Sequence, residues 1–154
     1  MIYILIVIAF VLAEHKVKDY MEKSRKLGEK EEILNGKIII RKQYNKGAML
    51  SFMEDKKELV KTISGACLGL VVLLFVFTLP KKGNRVYKLG LSLMLGGAIS
   101  NVFDRFSRGY VIDYFTINYK KLKSVIFNMA DMAIFLGSLL IMLSSIFHSR
   151  KHKD

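Results

Sequence analysis

The chain has no tryptophan, one proline and one cysteine in 154 residues. The single thiol, Cys67, has no partner in the chain, which excludes a disulfide scaffold. It also leaves no cysteine cluster for zinc, and His15, His148 and His152 show no ligand spacing. Acids are scarce, with 13 Asp and Glu against 25 Lys and Arg, for a net charge of +12. Such a basic excess invites a nucleic-acid reading. The chain is also 52% hydrophobic, too apolar for a disordered basic tail. At this length residues 1–154 read as one domain, not two.

The location of the charge decides between these classes. Met1 to Ala13 carries none, and Thr62 to Pro80 runs 19 residues without any. Val86 to Phe103 holds only Lys88, and Ser124 to Ser149 holds only Asp131 before His148. A spanning helix needs about 20 apolar residues. Three segments meet that length, within a few residues at the edges; the N-terminal one is short, and either recruits Glu14 to about Tyr20 to cross or lies shallow. The expected architecture is a membrane α-helical protein, a bundle of four transmembrane helices. They lie near 1–20, 62–80, 86–103 and 125–147, with polar loops at about 21–61 and 104–124. Both termini then lie on one side. A secretory signal peptide is the rival reading of Met1 to Ala13, but the basic n-region is missing.

Charge does not fix the orientation. The link between the second and third spans and the C-terminal tail hold seven Lys and Arg, and the opposite side holds 18, together with 11 of the 13 acids. In the first loop, Ile33 to Ile40 predicts a hairpin, with Asn35-Gly36 as the turn between β-branched runs. Tyr110 to Phe115 has the composition of a strand.

Charged and amide side chains beside apolar helices are costly and by default suggest function. Asn101 and Asp104, with Arg105, close the third span on one face. Asp113 lies in the following loop. Asn128 and Asp131 are again three apart, with Asp131 about two turns into the last helix if that helix begins near Ser124. All five of Asn101, Asp104, Asp113, Asn128 and Asp131 therefore gather near one face of the bilayer. Asp113 and Asp131 can meet there and share a proton. One can then act as base on a water while the other protonates a carbonyl, with no metal or nucleophilic side chain.

Plainer readings stand beside this. Asp104-Arg105 can be a helix-end ion pair, Asp113 a surface carboxylate, and Asp131 one end of a bundle hydrogen bond to Asn101 or Arg105. Gly96-Gly97-Ala98, Gly90 and Gly69 read as small residues that let helices approach closely. Cys67 reads as packing, and the lysine-rich tail as solvated or in contact with headgroups.

The stretches Gly96-Gly97-Ala98-Ile99-Ser100-Asn101-Val102-Phe103-Asp104-Arg105, Gly109-Tyr110-Val111-Ile112-Asp113-Tyr114-Phe115 and Phe127-Asn128-Met129-Ala130-Asp131 closely resemble the lipoprotein signal peptidase (signal peptidase II) family in order, spacing and residue type. Tyr44-Asn45-Lys46-Gly47-Ala48 to Phe52 looks like the family's upstream Asn-x-Gly-Ala motif, and Glu14 and Lys18 match its first motif, usually Asp with Lys four residues on. The resemblance implies a membrane aspartic endopeptidase of the bacterial cytoplasmic membrane. Both termini would be cytoplasmic, with an external β-rich cradle formed by the first loop and the active site at the outer face.

It further implies removal of the signal peptide from diacylglyceryl-modified prolipoproteins just before the lipidated Cys. Asp113 and Asp131 would be the catalytic pair. Asn101, Asp104, Arg105 and Asn128 would form the polar shell, Asn45 and Gly47 would hold substrate, and Glu14 and Lys18 would support. The expected partners are the lipid-modified precursor and membrane lipids, with no nucleic acid, no cofactor and a monomeric enzyme. The chain departs from the family at Glu14, at Ser100 where Gly is common, at Met49-Leu50, and in a first loop rich in Lys and Glu. Two other readings stay open: a non-catalytic relative that binds lipoproteins or membrane partners, and a small ion-conducting bundle using Asp131.

Overall fold

Four long helices and one three-stranded sheet make up the protein in a computed structural model, which describes residues 1–47 and 54–150. Ala48, Met49-Leu50 and Phe52 lie outside the described residues, as do the last four residues of the tail. The helices are α1 (Ile2–Ser24), α2 (Lys57–Thr78), α3 (Arg85–Ser107) and α4 (Met129–Arg150); the strands are β1 (Lys30–Ile33), β2 (Ile38–Asn45) and β3 (Val111–Ile117).

Helix α3 is the hub and packs against each of the other three helices. Its small residues make this possible. A Cβ on Gly97 would run into the carbonyl oxygen of Ala130, and one on Gly90 would lie 2.7 Å from that of Gly137. Gly96 faces Phe10 of α1. Gly69 differs from the close-approach reading, because nothing lies within 4 Å of where its Cβ would be. Helices α2, α3 and α4 are long and apolar enough to cross a membrane. Half of α3 is buried in protein, whereas α2 and α4 turn Leu70, Phe77, Phe135 and Met142 outward. Such faces are unfavourable in water and suited to lipid. The charged second half of α1, from Glu14 onward, keeps it out of that class.

The hairpin forms, and Ile33 pairs with Ile38 across Leu34–Lys37. Asn35 and Gly36 both take positive φ there, as Asn-Gly turns require, and Leu34 takes it as well. Strand β2 continues past the hairpin and pairs antiparallel with β3. Ile40 opposes Phe115 but Gln43 opposes Asp113, so β2 carries one extra residue. This bulge resets the alternation. Asn45, two residues beyond Gln43, therefore shares a face with Asp113.

The last helix begins later than its apolar run suggests. Lys120–Ser124 forms a short 3-10 turn, Phe127 bonds back to β3, and α4 starts at Met129. Asp131 thus sits in the first turn of α4 rather than two turns inside it.

Candidate active site

The end of α3, the start of α4, β3 and the inner end of β2 converge on one buried polar cluster. Asn128 organises the helix start. Its Oδ1 accepts the N–H of Asp131 at 2.9 Å, while its own N–H donates to Asp131 Oδ2 at 3.1 Å. This is a reciprocal cap in which Asp takes the place usually held by Glu. The same Asn128 uses its amide N–H2 to donate to Asp113 Oδ1 at 2.7 Å and to Asn101 Oδ1 at 3.3 Å. One side chain therefore touches both aspartates.

All four carboxylate oxygens of the pair are engaged. Asp131 Oδ1 accepts from Asn101 Nδ2 at 2.8 Å, and Asp113 Oδ2 accepts from Asn45 Nδ2 at 3.0 Å. Burial, together with the negative charge of Asp131 nearby, pushes the Asp113 carboxyl up to about 7. The amide hydrogen bonds from Asn45 and Asn128 and the charge of Lys18 act in the opposite direction but do not prevail.

Beneath the pair lies Lys18, 1% exposed. Its ammonium donates to Ser100 Oγ at 3.0 Å and Asn101 Oδ1 at 3.0 Å, and pairs with Asp104 Oδ2 at 2.9 Å. Glu14 Oε1 is 3.8 Å away. Asp104 also meets Arg108 Nε at 3.2 Å, so its ion pairs run to Lys18 and Arg108 and not to Arg105. Arg105 instead donates to the carbonyls of Asn101 at 3.3 Å and Gly47 at 3.2 Å, tying the segment after β2 to α3.

All ten residues named from the sequence are thus placed together: Glu14, Lys18, Asn45, Gly47, Asn101, Asp104, Arg105, Asp113, Asn128 and Asp131. Asn45, expected to hold substrate, also lies against the pair. Its amide holds Asp113, and its Oδ1 accepts the N–H of Gly47 at 3.2 Å. Sequence reasoning missed Arg108, and it missed Tyr114, whose hydroxyl bonds Glu14 at 2.8 Å. The signal for Tyr114 was only that a buried phenol needs a partner. Ser100, noted as a departure, accepts from Lys18. Among the described residues no group of three His, Cys, Asp or Glu side chains could hold a metal.

The family model described as "Signal peptidase (SPase) II" matches residues 6–147. The chain belongs to that family. A signal peptidase II is a protease, and this chain is one of them. The lipoprotein signal peptidase of Lactobacillus johnsonii is 32% identical over 150 residues, spanning 97% of this chain and 95% of its own. That of Halalkalibacterium halodurans is 32% identical over 160 residues, spanning 99% and 97%. A bacterial membrane enzyme solved by the in meso method at 2.3 Å resolution has the same fold. It has a TM-score of 0.84 over 99% of this chain and 91% of its own, at 24% identity. This signal peptidase II is accordingly a mostly helical membrane protein with a small sheet.

Proposed function

We propose that this signal peptidase II cleaves diacylglyceryl-modified prolipoproteins immediately before the lipidated Cys, using a water activated between Asp113 and Asp131. The observation that carries the reading is Asn128, which holds an oxygen of each aspartate within one buried amide network. Such a pair shares one proton. Asp113, with its carboxyl raised to about 7, retains that proton and donates it to the scissile carbonyl oxygen. Asp131 accepts a proton from the attacking water and later returns one to the leaving amide nitrogen.

The architecture supports a membrane site for this chemistry. All four helices cross the bilayer, α1 completing its span with the charged turns that hold Glu14 and Lys18. The sheet lies outside as a cradle, both termini are cytoplasmic, and Asp113 and Asp131 stand at the outer face of the cytoplasmic membrane. The outward apolar faces of α2 and α4 then meet lipid, where the acyl chains of the precursor also reside, so proximity is supplied by the bilayer. Residues 1–154 act as one domain and as a monomer. Glu14, whose presence motivates a non-catalytic relative, is seated inside the network, 3.8 Å from Lys18.

The test is mass analysis of the products from a purified lipidated precursor. A single cut leaving the lipidated Cys at the new N-terminus is expected. No cut, or a cut elsewhere, overturns the reading.

A further inference from the structure

Tyr114 follows Asp113 on β3 and, by strand alternation, points to the opposite side, toward α1. Its hydroxyl donates to Glu14 Oε2 at 2.8 Å and accepts the backbone N–H of Met129 at 3.0 Å. Glu14 Oε1 accepts the N–H of Ala130 at 3.4 Å. Met129 and Ala130 are the first two residues of α4, and their amides have no partner within the helix. A buried carboxylate from α1 therefore holds one directly and the other through a phenol. The third amide of that turn belongs to Asp131 itself and bonds to Asn128.

We infer that Tyr114 is a positioning residue for the peptidase reaction: through its hydroxyl, Glu14 fixes the first turn of α4 and so sets where Asp131 stands relative to Asp113. The inference rests on the peptidase reading above and extends it. Tyr114 is suited to the task because it is joined covalently to one aspartate and hydrogen-bonded to the helix start that bears the other. Burial, and then the charge of Glu14, push its phenol well above the ordinary tyrosine value, so it keeps the proton it donates. A hydroxyl can donate one bond and accept another at once, which a phenylalanine in the same packing cannot do.

The test uses purified full-length protein and a lipidated precursor, with kcat and KM measured separately for Tyr114→Phe, Glu14→Gln and the double variant. The kcat of each is expected to fall about tenfold or more, since small misplacements of reacting groups are that costly, with KM held within about twofold. The double variant should be no slower than the slower single variant, because both changes break one chain of bonds. Thermal unfolding in detergent reports folding in parallel, and Glu14→Gln carries the test should Tyr114→Phe fail to fold. A Tyr114→Phe protein with wild-type kcat overturns the inference, as does a loss confined to melting temperature or to KM. A wild-type protein that cuts no lipidated precursor instead removes the cleavage reading, and an Asp131→Asn that cuts as wild type does removes the aspartate pair on which the inference rests. Those outcomes differ plainly from an active wild type matched by an active Tyr114→Phe.

Discussion

Lys18 illustrates how a charge persists inside this bundle. An ammonium has three donors, and Ser100, Asn101 and Asp104 each meet one, at 3.0, 3.0 and 2.9 Å. Removing one member of a buried pair leaves the other uncompensated and costs about 3–5 kcal/mol. Lys18→Met is therefore expected to destabilise the protein by about 3 kcal/mol or somewhat less, since Arg108 still faces Asp104 at 3.2 Å; denaturant unfolding in detergent measures it. Asp113 makes a second prediction. Its folded value of about 7 lies above the ordinary 3.8, so between those values the folded state holds more protons than the unfolded one. Stability from this group is present below about 3.8 and is lost as pH rises toward 7. If the proposed shared proton is the one on Asp113, activity is expected to fall over the upper part of the same range as that proton leaves. The rate profile should show its alkaline limb near pH 7, and an activity that keeps rising well above that pH would contradict the assignment of the proton to Asp113.

Among the elements, α3 and α4 approach closely beside the site. Gly97 lies against the carbonyl of Ala130, the residue before Asp131, and its added Cβ would also lie 2.9 Å from Ile134. Gly97→Ala is expected to force the helices apart and lower activity about tenfold or more. Gly69→Ala, whose Cβ would meet nothing within 4 Å, should keep wild-type activity and gain up to about 1 kcal/mol from helix propensity. Cleavage rates and unfolding of the two variants side by side check both expectations. The apolar runs, the Asn-Gly turn and the β-branched β3 were legible in the sequence because each is written in local composition. The start of α4 was not, since Val125-Ile126-Phe127 continues the apolar run and only the Asn128–Asp131 cap marks the boundary. The bulge in β2, which turns Asn45 onto Asp113, depends on pairing with a strand far away in sequence. Tyr114 was hidden for the same reason: its partner Glu14 is 100 positions away.

For the whole molecule, a net charge of +12 coexists with a polar cluster built around four carboxyl groups. Glu14, Asp104, Asp113 and Asp131 meet there from α1, α3, β3 and α4, each held by amides, hydroxyls or Lys18. Asp131 is distinguished by its place at a helix start beside Asp113, and depth in an apolar helix has no part in it. In the proposed reaction, Asp113 and Asp131 share one water and one proton. Cleavage of a lipidated precursor by purified wild type and by Asp131→Asn, followed by gel shift, measures this most directly. The substitution keeps size and removes the base, so wild type should process the precursor while Asp131→Asn leaves it intact. Processing by Asp131→Asn at a rate near wild type would contradict the account.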